Sequence, residues 1–433
     1  MIKILQVRNI DSFVESRRQK TSEKDRKTVQ AILNDVRKNG DSAVKKYERK
    51  FNRRKTSQLR VSEKEIKEAQ SKISLEERHA IRQTRVLLNS RQYSWHFVLK
   101  QAIDNLDQIG YSGVIDSKIS KLFVPIPSVG CYIPGGQAKY PSSVVMSVVP
   151  AKIAGVKRIV VVSPPGRDGK IDPLTIVAAK RCGATEIYKV GGAQAIGALA
   201  YGTKSILKVD KIVGPGGKFV SIAKSLVSDQ VAIDMVAGPT EIGIIADTSS
   251  DPELVALDLI SQAEHCKDTM CFVITQSKTV AKQIQKSVEK LIPGTERSSI
   301  IKASISKNGF IAVCKNKNEM VELANKIAPE HLELMVKNAK TLSKKITGAG
   351  LLLIGKNTPS AASDYLLGTN HILPTNGFGR TRGGLSVLDF LKSQTMVDNI
   401  TKQHLQWIAK YQKTLTDAED LPNHYKAVKR RLD

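Results

Sequence analysis

Aromatic residues make up only 5% of this 433-residue chain, which also lacks any CxxC pair, any long apolar run and a balancing number of acids. Each absence excludes something. The five cysteines (Cys131, Cys182, Cys266, Cys271 and Cys314) are odd in number and widely spaced. That argues for reduced thiols, against a disulfide framework or a thiolate zinc site. No stretch reaches the ~18 to 20 uninterrupted apolar residues that cross a bilayer. The start, MIKILQVRNIDSF, meets charge too early for a secretory signal. A soluble, cytoplasmic protein is expected. Scarce aromatics also leave little to stack on bases. Lys and Arg number 68 against 41 Asp and Glu, a net charge of +27. Yet the bases lie in separated helical segments with acids interleaved, as in RRQKTSEKDRK and KKYERKFNRRK. Nucleic acid is therefore not the expected partner, although a basic field favours capture of an anionic dinucleotide.

What is present organises the chain. At this length more than one core is expected. Residues 20–110 carry a helical pattern in which Val29, Ile32, Leu33 and Val36 form one apolar stripe, broken at Asn39-Gly40. From Val124 short β-rich runs alternate with amphipathic stretches. Runs at 158–165, 186–192 and 210–217 end in Gly or Pro, and a second series follows at 241–247, 270–276, 310–316, 331–336 and 350–356. This alternation predicts βα units with parallel strands. A helix is expected from Asp251 to His265, capped by Asp251, with Pro252 in its first turn and Leu254, Val255, Leu257 and Ile260 as its core stripe. After residue 385 the chain reads as helix again. The expected fold is α/β: two Rossmann-like lobes with helical N- and C-terminal elements.

Several stretches carry possible chemistry. SQAEHCKDT (261–269) ends a helix with Gln262, Glu264 and His265 together, either a solvated end or a site. VGGAQAIGALAYG and VGPGGKF put glycines where strands turn into helices, offering backbone N–H groups to phosphates. Neither is a GxGxxG fingerprint, and Phe219 stands where a P-loop needs Ser or Thr. In APEHLELM, Glu330 precedes His331. Neighbours on a strand face opposite ways, so both serve one substrate only at a bend, which Pro329 permits. SAASDYLLGTNH offers Asp364, Asn370 and His371, donors suited to a borderline cation. Tyr132, after a β-rich run, either stacks on a base or lines the core. These residues alone indicate a two-lobed α/β enzyme, metal-dependent or nucleotide-binding, without naming a reaction.

Taken in order, YIPGG, VGGAQAIGALAYGT, VDKIVGPGG, DMVAGPTE, SQAEH, APEHLE, AASDYLLGTNHILPT and HYKAVKRR resemble the histidinol dehydrogenase family from about Tyr132 to His424. The resemblance implies oxidation of L-histidinol through an aldehyde to L-histidine with two NAD, using one zinc per subunit of a homodimer with shared active sites. By motif, the implied zinc ligands are Gln262, His265, Asp364 and, from the partner subunit, His424. Glu330 and His331 match the catalytic pair. Thr240, His371 and Glu419 match substrate contacts, beside His331 and the ligands themselves; Tyr132, Gln194 and Gly217 match dinucleotide contacts. Two departures stand out: Gly217 replaces an Asn of the family's GPGN, and Thr240 replaces the usual Ser. The implied division is a dimer-contact segment (1–24), a first lobe with the metal and catalytic residues (25–131 and 240–385), an NAD-binding lobe (132–239) and a helical dimerisation region (386–433). The alternative is a zinc hydrolase on the same ligands, in which the glycine-rich turns would serve nothing.

Overall fold

The computed structural model describes residues 1–18, 22–52, 58–108, 118–135, 139–166, 168–398 and 400–433. It opens with β1 (Lys3–Gln6), α1 (Ile10–Arg17), α2 (Glu23–Asn52), α3 (Glu63–Lys72) and α4 (Leu75–Gln108). Next come β2 (Lys118–Pro125), β3 (Ser128–Tyr132), α5 (Pro141–Ala154), β4 (Arg158–Ser163), α6 (Pro173–Cys182) and β5 (Glu186–Lys189). Then follow α7 (Gly192–Tyr201), β6 (Lys211–Val213), α8 (Lys218–Leu226), β7 (Ala232–Ile233), β8 (Glu241–Ala246) and α9 (Pro252–Ala263). The second series continues with β9 (Met270–Thr275), α10 (Lys278–Leu291), α11 (Ser298–Asn308), β10 (Phe310–Val313), α12 (Lys317–Ile327) and β11 (His331–Met335). It closes with α13 (Ala339–Ser343), β12 (Leu351–Ile354), α14 (Ser360–Ser363), β13 (Leu391–Asp398), α15 (Lys402–Ala418) and α16 (Pro422–Lys429).

The described chain divides into two units, Met1–Gln92 with Ile126–Phe390, and Tyr93–Pro125 with Leu391–Asp433. The first unit holds two sheets. One has six strands in the order β1-β10-β9-β8-β11-β12, the other five in the order β5-β4-β3-β6-β7. Every pairing in both is parallel. All eight expected strands form, and the α/β fold with it. Strands β3, β8, β9, β10 and β11 are buried along their whole length, as expected of parallel strands covered on both faces.

The stripe of α2 is buried as its periodicity predicts, in one cluster with Ala195, Ile196 and Leu199 of α7. A side chain at Gly197 of α7 would meet Leu33 and Val36 at 3.2–3.3 Å, so glycine lets the two helices approach. Gly40 sits at φ 52, a kink only glycine adopts freely. Helix α2 thus packs with the five-stranded sheet.

Helix α9 starts as expected: Asp251 accepts from the N–H groups of Glu253 and Leu254, and Pro252 needs no donor. Its core stripe differs. Val255, Ala256, Leu259 and Ile260 are buried, while Leu254 is 38% and Leu257 45% exposed. The buried face runs through positions 255, 259 and 262, which turns 254 and 257 outward.

In the second unit, β13 pairs antiparallel with β2 along eight residues, from Leu391 opposite Pro125 to Asp398 opposite Lys118. Residues 391–398 had been expected to be helical. They are almost wholly exposed and lack an alternating apolar pattern, so only their long-range partner reveals them. Helices α15 and α16 follow. No described helix is long and apolar enough to cross a membrane.

Candidate active site

Strand direction brings the site together. In β8 and β11 residues Ile242 and His331 stand side by side, so Thr240, Glu241 and Glu330 meet at the amino ends of the two strands. The helix after β8 runs back towards that same edge, which returns Gln262 and His265 to Thr240. Asp364 arrives likewise, at the end of α14 after β12. Glu330 and His331 act on one point because the chain bends there: Ala328 is left-handed (φ 49) and Pro329 follows before β11 begins.

The contacts form a chain. Gln262 Nε2 donates to Thr240 Oγ1 (2.5 Å), and that hydroxyl donates to Glu330 Oε2 (2.5 Å). The added methyl of Thr240, relative to Ser, therefore leaves its hydroxyl fully engaged. Glu330 Oε2 also accepts from the Glu241 N–H (3.0 Å) and lies 3.9 Å from His331 Nδ1. His331 Nε2 is 3.4 Å from Asp364 Oδ1, while its Nδ1 stands 3.3 Å from the Glu241 carbonyl. His265 is exposed, with Nδ1 at 3.1 Å from the Gln262 carbonyl. His371 uses both nitrogens, one with the Asp364 carbonyl (2.8 Å) and one with Ser143 Oγ (3.0 Å).

Burial and charge oppose one another here. Burial raises Glu330, against the charge of His331 and the bonds from Thr240 and Glu241. Asp364 stays below the usual carboxylate range in spite of burial, because His331 bonds to it and His371 and His265 add positive potential. Burial lowers His371. Burial would also lower His331, yet the bond to Asp364 and the charges of Glu330 and Asp364 carry it up to about 9. The two carboxyl groups thus favour the protonated imidazole.

Among the described residues no group of three or more His, Cys, Asp or Glu is arranged to hold a metal ion. His265 and Asp364 supply two such donors, and the adjoining Gln262 amide is of another type. Asp364 Oδ1 and His331 Nε2 are buried with no hydrogen-bond partner of good geometry. Amide, imidazole and carboxylate in one place suit a borderline cation, so the residues fit zinc. Glu419 and His424 belong to the second unit, where Glu419 ends α15 and His424 stands on α16, both exposed.

The dinucleotide candidates lie at the carboxyl ends of the five-stranded sheet. Tyr132 is buried and belongs to the core; its hydroxyl accepts from the Gly192 N–H (3.1 Å). Gln194 is buried, with Nε2 donating to Glu48 Oε1 (2.8 Å) and Oε1 lacking a partner. Gly217 precedes α8 in open space, so its missing side chain reflects no crowding. A cavity of about 280 Å³ lined by Pro134, Gly135, Ser163 and Pro164 opens at the ends of β3 and β4. Gly136, third of the expected Pro-Gly-Gly turn, lies outside the described residues. Sequence reading missed Glu48, Ser143 and Glu241. Glu48 also accepts from the Gly191 N–H (2.9 Å). An acid in phase with the apolar positions of a basic amphipathic helix was the signal for Glu48.

A second carboxyl pair lies behind the site. Glu333 of β11 accepts from the Ser360 N–H (2.7 Å), its Oε2 is buried, and its carboxyl interacts with that of Asp258 on α9. Two carboxyls in contact must share a proton. Burial carries Asp258 up to about 6; burial, joined by the Asp258 charge, carries Glu333 up to about 8. The folded state therefore binds protons more tightly than the unfolded chain. This stability is present below the ordinary carboxylate range and is lost as pH rises through about 6 to 8. Glu333→Gln, whose amide donates to Asp258 without a titrating proton, is expected to raise the melting midpoint near pH 8.5 by about 2–4 °C and to flatten its pH slope. Identical slopes for both proteins in calorimetry would exclude the shared proton.

The family model for histidinol dehydrogenase matches residues 15–432. The chain is 42% identical over 405 residues to histidinol dehydrogenase of Methanocaldococcus jannaschii, covering 94% of this chain and 92% of that protein. It is 39% identical over 439 residues to that of Pelagibacter ubique, covering 100% and 99%. The crystal structure of histidinol dehydrogenase from Elizabethkingia anophelis superposes with a TM-score of 0.89 at 34% identity, covering 100% of this chain and 98% of that one. The chain belongs to the histidinol dehydrogenase family of oxidoreductases.

Proposed function

We propose that the protein oxidises L-histidinol through the aldehyde to L-histidine with two NAD, at a zinc site completed in a homodimer. The observation that carries this reading is the convergence of Gln262, Thr240, Glu330, His331 and Asp364 into one chain of contacts, each member 2.5–3.9 Å from the next. Gln262, His265 and Asp364 would hold the zinc, with His424 of the partner subunit as the fourth ligand. Zinc, when bound, supplies a Lewis acid for the imidazole and amine nitrogens of the amino alcohol. NAD, when bound, supplies the hydride acceptor.

The chain's own residues then do the rest. The first oxidation releases a hydride from carbon and a proton from the hydroxyl. With Asp364 committed as a ligand, His331 loses the carboxylate that holds its proton and becomes the base for that hydroxyl. The second oxidation starts from the aldehyde and one water; Glu330 removes the water's proton, with Thr240 and the Glu241 N–H fixing its carboxylate. Gln194 Oε1, buried and without a partner, and the cavity at Pro134 and Pro164 support dinucleotide binding at the carboxyl ends of the strands of the five-stranded sheet. Gly217 withholds one hydrogen bond that Asn would make. Nothing beyond the ligands favours a hydrolase.

The expected result is NADH formation from L-histidinol, read by absorbance, lost on chelation and restored by zinc. No NADH with zinc present would overturn the reading.

A further inference from the structure

We infer that Glu241 is a positioning residue for the catalytic pair, acting through both its backbone and its side chain. This rests on the proposed roles of Glu330 and His331. Its bonds to that pair come from backbone and side chain alike. Its N–H donates to Glu330 Oε2 (3.0 Å), and its carbonyl lies 3.3 Å from His331 Nδ1. Its side chain looks back at the same segment: Oε2 accepts from the Glu330 N–H (3.3 Å) and Oε1 from the Asn376 N–H (2.9 Å).

The backbone bonds come with parallel pairing and would survive any side chain. The carboxylate bonds would not. They tie together two strained places, the bend after left-handed Ala328 (φ 49) and the left-handed Asn376 (φ 55). Asn376 is held from its other side by Arg18, whose Nη1 donates to its carbonyl (2.8 Å). Non-glycine residues persist in this conformation only where their surroundings dictate it. Glu241 is 3% exposed, so no water replaces a lost acceptor. Both of its oxygens accept from backbone N–H groups, a demand only a carboxyl of this length meets. An amide in its place turns an NH2 towards one of those N–H groups, and the bend that aims Glu330 and His331 loosens.

The test is the turnover of Glu241→Gln on L-histidinol, with Glu241→Asp as a second variant too short to reach both donors. The loss of a bond that orients a catalytic group costs about 10–100-fold, expected here in kcat with KM changed by less than about threefold. Placed on Glu330→Gln, the same change is expected to cost clearly less than it does alone, the remainder passing through His331, because residues acting as a unit are not additive. A kcat within about twofold of the parent in both variants would overturn the inference, as would a full further loss in the double variant. A parent without turnover overturns the functional reading itself; an active parent with unaffected variants overturns this inference alone.

Discussion

Histidinol oxidation by His331→Asn is expected to fall by about 10²–10⁴ in kcat, the range that a positioned general base contributes. Asparagine places its amide nitrogen roughly where Nδ1 stands, so the contact with the Glu241 carbonyl is kept. What disappears is Nε2, the atom that faces Asp364 at 3.4 Å and would take the hydroxyl proton. The variant also separates chemistry from folding. Without metal, Asp364 loses its charged partner, and removing one member of a buried pair costs about 3–5 kcal/mol. With metal bound, Asp364 has another partner and the melting midpoint is expected to return close to the parent's. Steady-state NADH formation and calorimetry with and without zinc check both parts. Turnover within about threefold of the parent would remove His331 from the mechanism.

Asp364→Ala is expected to cost more than the 10–100-fold typical of residues that merely support a metal ligand. The variant should hold zinc well below one per chain, measured by elemental analysis after dialysis. Without metal, Asp364 also favours the protonated form of His331 against the effect of burial, a pull that its loss removes. Asp364→Asn separates the two effects, since the amide oxygen still offers a donor atom but no charge. It should retain more metal than the alanine variant while turning over slowly. Full zinc content in Asp364→Ala would place the ion elsewhere.

Much of the fold was legible because its signals are local. Asp251, Pro252 and Glu253 announce the start of α9 within three residues, and the stripe of α2 lies in one stretch. The runs 241–247 and 331–336 are apolar enough to be seen as strands alone. Strands β2 and β13 escaped because what makes them strands is each other, about 270 residues apart in sequence. Within α9 the length was legible and the buried face was not, since Leu254 and Leu259 differ in neighbours rather than in type.

Residue chemistry alone marked Gln262, His265, Glu330, His331, Asp364 and His371 as worth attention, and the order of motifs attached them to a family. That much lies in the one-dimensional string, where identity and spacing are written directly. Whether those groups meet depends on parallel register, with His331 beside Ile242, and on a helix returning Gln262 to the same edge. The role of Glu241 is legible only there, because an acidic residue opening a strand has no special mark until two backbone N–H groups from distant segments arrive at its carboxylate. Hydrogen bonds act over about 3 Å, and only the packed chain decides which residues come that close.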